Sequence, residues 1–319
     1  MTKKIKTWLI VALSLIAVGM LAFVALMTYH GWDFKKLSSN KYQPNAYEVS
    51  ESFDSISIDT ETADVRFALS QDGKCNVVCA EQEKMTYSVA VTNNELTVKM
   101  IDERKWYDHL FNFAPNEMIV YLPLANYNSL TLQSDTGDVE IPRGFTFENI
   151  TIALTTGDVD SCANAAQLVQ ISTTTGDIEV ENATVGALKL SSTTGDIDVE
   201  NVTCNGDISI TLTTGDSELE NVTCQNFTSG GTTGELSMSK LIASGKITIE
   251  RDTGDVEFDR CDGGEITVET TTGDVKGSLL TAKTFIPNSQ TGDIRVPSNS
   301  TGGKCEITTT TGDIRITLA

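Results

Sequence analysis

Two histidines, six prolines and 7% aromatic residues are few for a chain of 319 residues, and each shortage closes off a class of protein. His30 and His109 stand far apart and the seven cysteines are scattered, so no set with zinc-ligand spacing exists. Six prolines beside 24 glycines fit neither a collagen nor a proline-rich linker. Basic residues are also short: 23 Lys and Arg face 44 Asp and Glu, a formal charge of -21. Phosphate neutralisation needs clustered Lys and Arg, so this balance argues against a nucleic-acid partner. No Ser-His-Asp set, phosphate loop or nucleotide fingerprint occurs. Apolar residues make up 39%, enough for a large core, which excludes wholesale disorder. The acid is unevenly placed. Residues 130–319 hold 29 acidic and 11 basic side chains, a net of -18, while residues 1–129 carry -3.

The chain opens with Lys3, Lys4 and Lys6, then runs uncharged through residues 8–28. As a helix these 21 residues extend roughly 30 Å, a bilayer's hydrocarbon thickness. A cleaved signal peptide has a shorter apolar stretch ending in a small-x-small site, which fits less well. The leading lysines predict residues 1–7 as a cytoplasmic tail, residues 8–28 as a transmembrane signal anchor, and the remainder outside a cell membrane crossed once. Residues 29–50 read as a polar tether.

An internal repeat governs the rest. Thr-Gly-Asp recurs with Gly at 137, 157, 176, 195, 215, 234, 254, 273, 292 and 312, every 19 or 20 residues, and only Glu235 replaces the Asp. Two residues after the Gly the column is apolar except at Ser217, and seven before it the column is apolar throughout. Each repeat therefore holds two short alternating strands, one entering and one leaving a Gly turn. Such a unit cannot bury its apolar side alone and must stack on its copies. The expected fold is all-β: a single-stranded parallel β-solenoid of about ten coils over residues 130–319, roughly 48 Å long at about 4.8 Å per coil. Residues 51–129 form an N-terminal β region in which Thr62-Ala63-Asp64-Val65 reads as a worn turn. Stacked threonines before the Gly, as at Thr174 and Thr194, would add an outer ladder.

Side chains one, three and five residues after the Gly share the outer face. In three consecutive coils these are Asp177, Glu179 and Glu181; Asp196, Asp198 and Glu200; and Asp216, Glu218 and Glu220. Neighbouring carboxylates about 4.8 Å apart repel by roughly 0.9 kcal/mol even at the dielectric of water. The grid invites cations, and hard oxygen ligands favour calcium over magnesium as the candidate cofactor. The alternative is a solvated face whose first-column Asp residues serve the turns. Lys276, Arg295 and Arg315 reverse the sign in the last coils, either to pair with Asp274, Asp293 and Asp313 or to protect an open edge from pairing.

The segment 101–117 gathers Trp106, Tyr107, Phe111 and Phe113, suited to capping the first coil or to meeting a partner or membrane. The last coil, ending at Ala319 in "ITLA", shows no cap, so self-association through it is an expectation. Cys204 and Cys224 share a column with Ala166, Val185 and Ala243, which suits free buried thiols, although strand spacing also permits a disulfide between adjacent coils. Asn182, Asn201 and Asn221 form a column read as an amide ladder, with Asn-x-Thr glycosylation as the rival.

The "SIDTETADV" opening, the "VYLP" strand and the serial "TTGDI" turns resemble the adhesin-like family known as domain of unknown function 4097, over residues 50–319. The resemblance implies an exported bacterial β-solenoid with a proposed adhesive role, and supplies no catalytic residues. A non-enzymatic, membrane-anchored protein binding a cell-wall or host surface ligand is the expected function, because ten near-identical coils present an extended surface and not one distinct pocket. A glycan-cleaving β-helix enzyme and an envelope-stress sensor are the alternatives. Against the enzyme, the carboxylates are columnar and no insertion interrupts residues 137–319.

Overall fold

The computed structural model describes residues 3–29, 31–32, 42–105, 116–298 and 301–319. Lys3–Tyr29 forms one helix, and its segment Ala12–Tyr29 is long and apolar enough to cross a membrane. The remaining described elements are strands.

The coil around Gly195 shows how the repeat builds the wall. Thr184–Thr194 runs into the turn and Ile197–Glu200 runs out, and each pairs in parallel with its equivalents in the coils before and after. The inbound strands form one sheet and the outbound strands another, with Leu188, Leu190, Ile197 and Val199 buried between them. Each such side chain, removed from water, contributes about 1.5–3 kcal/mol, and the columns repeat that gain coil after coil.

The ten repeat glycines have φ between 132° and 156°, a region closed to side chains. Crowding closes it a second time: a Cβ on Gly176 would lie 2.0 Å from the carbonyl oxygen of Gly157. Threonine precedes all ten glycines and faces solvent, an unbroken ladder in which Thr175 aligns with Thr194. Thr174 lies one position outside it. Ala165, and not Ala166, stands opposite Val185, because an irregularity after Ala165 absorbs the odd residue.

The second corner has its own rule. Asn182, Asn201, Asn221, Lys240 and Arg260 all adopt φ of 51–56°. Asparagine tolerates this left-handed conformation best among non-glycine residues, which accounts for the column. The expected amide ladder has a single rung, Asn221 Nδ2 to Asn201 Oδ1 at 2.7 Å. The amides of Asn182 and Asn201 instead donate to the preceding Glu181 and Glu200.

Coil order departs from sequence order at both ends. Lys304–Thr311 lies between Val256–Thr272 and Thr284–Thr291, and Ile314–Leu318 lies between Val275–Leu279 and Ile294–Arg295. The last coil is thus interior, and the coil of Gly292 is the outer edge. This corrects the expectation that the coil ending at Ala319 stands open. A repeat cannot reveal the swap, since every coil offers the same pairing pattern. Pro287 marks the true edge, where a missing N–H is harmless.

The N-terminal end mirrors this arrangement. Ser55–Thr60 lies between Glu95–Asp102 and Asn126–Thr136, while Asp64–Leu69 lies between Glu117–Leu122 and Val139–Ile141. Beyond the outer coil the pairing turns antiparallel. Met85–Thr92 covers Glu95–Asp102, Cys75–Glu81 covers Glu117–Leu122, and Gln43–Val49, from the span read as tether, completes the layer. These strands close that end. Trp106, Tyr107, Phe111 and Phe113 lie outside the described residues.

Candidate binding face

The outer face of the outbound sheet is built by alternation. Ile178, Val180, Ile197, Val199 and Leu219 point inward, so the residues between them must point out. Register then brings the predicted carboxylates together: Glu179, Asp198 and Glu218 align across three coils, as do Glu181, Glu200 and Glu220.

Asp177, Asp196 and Asp216 serve the backbone. In a parallel ladder the N–H after each turn glycine has no carbonyl to meet. The Asp of the preceding coil supplies the acceptor: Asp177 Oδ1 takes the N–H of Asp196, Asp196 that of Asp216, and Asp216 that of Glu235, at 2.7–2.8 Å. The ladder begins with Asp64 beneath Asp138 and continues through Asp255, Asp274, Asp313 and Asp293. Glu235 interrupts it. Among the described residues no such bond joins its longer side chain to the N–H of Asp255.

The middle column carries the electrostatic strain. Burial raises the carboxyl of Glu179 above its ordinary value, and Asp160, Glu181, Asp198 and Glu200 add to the rise. Asp198 is raised by burial, then by Glu218, Asp196 and Asp177, and Asp160 by burial, then by Glu181 and Glu140. Each of these groups ionises against its neighbours.

A groove of about 450 Å³ crosses this face at its N-terminal half. Nine carboxylates line it: Asp64, Glu117, Asp138, Glu140, Asp158, Asp160, Asp177, Glu179 and Asp198. Arg66 is the one basic residue in the lining, and Glu140 at 2.7 Å and Glu117 at 3.7 Å hold it. Of the nine grid residues expected from sequence, Asp177, Glu179 and Asp198 belong to the groove, and the other six continue the face beyond it. Glu117 was invisible to repeat alignment because its coil stacks outside the first one. Asp64 was legible in the worn turn at Ala63.

Among the described residues one group brings three potential ligand atoms within 4.8 Å of one another: Asp160, Cys162 and Glu181. The Cys162 thiol donates to Glu181 at 3.5 Å and is pushed up to about 11 by burial and that carboxylate. The grid carboxylates otherwise spread along the sheet. At the C-terminal end Arg295 and Arg315 pair with Asp293 and Asp313 as expected, whereas Lys276 reaches Glu257 at 3.4 Å in place of Asp274. All seven cysteines are free; Cys204 lies within 3.5–3.6 Å of the Asp207 and Gly186 carbonyls, so its column holds thiols and no disulfide.

Comparison with curated proteins finds no match. Among solved structures, a putative adhesin from Bacteroides fragilis is 17% identical, with 88% of this chain and 99% of that one aligned at a TM-score of 0.42. A putative lipid binding protein from Parabacteroides distasonis is 14% identical over 86% and 97%, TM-score 0.48, and a putative adhesin from Parabacteroides merdae 13% over 88% and 98%, TM-score 0.44. The profile of the Toastrack DUF4097 family matches residues 53–226 and 203–319, and with the coil architecture just described the chain belongs to that family.

Proposed function

We propose that this protein is a non-enzymatic, membrane-anchored binding protein of the cell surface, adhesin-like, whose outbound face recognises cationic groups on a cell-wall or host surface polymer. The acidic groove carries the reading: nine carboxylates meet one basic residue there, and that residue is already neutralised by its neighbours. A cleft lined by one sign of charge concentrates ligands of the other. The equivalence of successive coils supports binding over catalysis, since hydrolytic pairs need two carboxyls in different environments. Lys3, Lys4 and Lys6 ahead of the helix support a cytoplasmic N-terminus and an external solenoid.

Calcium is the cation this face would condense most readily, because its coordination tolerates irregular carboxylate sets. The test uses the full chain in detergent. Purified wall polymers and polylysine are immobilised and retention is measured against salt. Retention that falls with ionic strength and drops several-fold in the Glu179→Gln, Asp198→Asn double variant supports the proposal, and absence of retention at low salt rejects it. Thermal unfolding with calcium or chelator decides the cation separately: an unmoved midpoint leaves the face without calcium.

A further inference from the structure

A second pocket lies at the N-terminal end of the sheet that carries the acidic groove. Cys75, Val77, Met118, Val120 and Leu122 are buried, so alternation turns Asn76 and Tyr121 to the outer face. Register sets them side by side: Tyr121 pairs with Asn76, and Asn76 with Glu48 on the outermost strand. The row from Tyr121 to Glu48 crosses two strand spacings, about 10 Å, which is the length of a disaccharide. Glu117 of the groove stands on the same strand as Tyr121, about 13 Å from it.

The loop after Asp64–Leu69 closes one side of the row. Ser70 Oγ donates to Asp72 Oδ1 at 2.8 Å, and the N–H of Lys74 donates to Ser70 Oγ at 3.1 Å and to Asp72 Oδ1 at 3.0 Å. Gly73, at φ of 74°, makes the bend. The loop is therefore set before any ligand arrives. Together loop and row bound a cavity of about 360 Å³, lined by Glu48, Leu69, Gln71, Lys74, Asn76 and Tyr121 with the loop residues Ser70 and Asp72. Leu69, 43% exposed, and Tyr121 give it an apolar wall. The rim is polar but its charges are already answered. Lys74 Nζ stands 3.7 Å from Glu48 Oε1, and the loop takes up the Asp72 carboxylate. Asn76 Oδ1 is enclosed, which leaves Nδ2 as the end of that amide for a ligand.

We propose that this pocket binds one or two neutral pyranose rings of a glycan chain. A pyranose presents an apolar C–H face and a rim of hydroxyls. Tyr121 and Leu69 meet the face, the Asn76 and Gln71 amides and the Lys74 ammonium donate to hydroxyl oxygens, and the Glu48 carboxylate accepts from hydroxyls. Answered charges give an ionic ligand little to gain, and burying this polar rim under a lipid chain would leave it without hydrogen bonds. Gln43–Val49, which carries Glu48, has a partner strand on one side only among the described residues, so a chain can continue past the sheet edge. The pocket adds a neutral contact to the face and does not depend on the acidic groove.

The test uses the full chain in a sugar-free polyoxyethylene detergent, with cellobiose, maltose and diacetylchitobiose as probes in saturation-transfer NMR. At least one disaccharide is expected to receive saturation on its ring protons, with an affinity that raised salt leaves unchanged. Tyr121→Ala should weaken that binding by about tenfold. Glu48→Ala, at an exposed position, should weaken it several-fold and decides the matter even if the first variant fails to fold. No transfer to any of the three disaccharides, or equal binding in Glu48→Ala, would overturn the site. Binding that fades as salt rises would place the sugar in the acidic groove and overturn it as well. Retention on polylysine reads the groove separately and should be the same in both variants.

Discussion

Asp177 Oδ1 accepts the backbone N–H of Asp196 from the neighbouring coil at 2.7 Å, so the repeated acid is a backbone acceptor before it is a charge. The same bond recurs along the solenoid and explains why Asp follows the glycine and why Glu235 breaks the series.

Replacing Asp177 therefore separates the two roles. Asp177→Asn keeps the acceptor and removes a repelling charge, so its unfolding midpoint should equal or exceed that of the unsubstituted chain. Asp177→Ala leaves the N–H of Asp196 without its partner and should cost about 1 kcal/mol. Equal losses in both variants, measured by denaturant unfolding, would contradict the acceptor role.

Gly176→Ala should be far worse. Its φ is 140° and the new Cβ would meet the Gly157 carbonyl at 2.0 Å. The Asp158 carboxylate at 2.9 Å could turn aside, but the Gly157 carbonyl is backbone and cannot. A loss of about 4 kcal/mol or failure to fold is expected. Gly19→Ala is the control, because nothing lies within 4 Å of its Cβ position.

The pH dependence should run opposite to that of ion-paired carboxylates. Glu179, Asp198 and Asp160 hold their protons more tightly when folded, so their contribution to stability falls as pH rises through the raised values. Asp72, Asp259 and Glu265 are lowered by hydrogen bonds, from Ser70, Arg260 and Lys246 respectively, and act in the other direction as pH falls. Asp198→Asn isolates the first effect. Its midpoint at pH 7 should rise by about 1–2 °C, and the gain should shrink as pH drops into the carboxylate range. A lower midpoint at pH 7 would show that the charge is stabilising.

Hydrogen exchange reports the coil order directly. The amides of Lys304–Thr311, paired on both sides, should exchange more slowly than those of Thr284–Thr291, which is paired on one. Exchange faster near the terminus would restore the serial order.

The repeat made the coils, their inward columns and the outward acids legible, because burial repeats with period two and the glycines fix the frame. The column of Asn182, Asn201 and Asn221 was legible as an amide ladder, of which one rung forms, but its left-handed φ was not, since a sequence shows the residue and not its backbone angle. Glu117 and the coil order were hidden for a different reason. Pairing between identical edges is degenerate, and only end-specific residues such as Pro287 break the tie.

The inserted terminal coils have a consequence for how such a protein can vary in length. The coil of Ser55–Thr60 and Asp64–Leu69 and the coil of Lys304–Thr311 and Ile314–Leu318 are each held between two others, so a unit inserted next to either would have to undo that clasp. The middle has no such constraint. A duplicated unit of 19 or 20 residues placed between Gly157 and Gly254 would meet two unchanged edges and lengthen the rod by about 4.8 Å, leaving the fastened ends as they are.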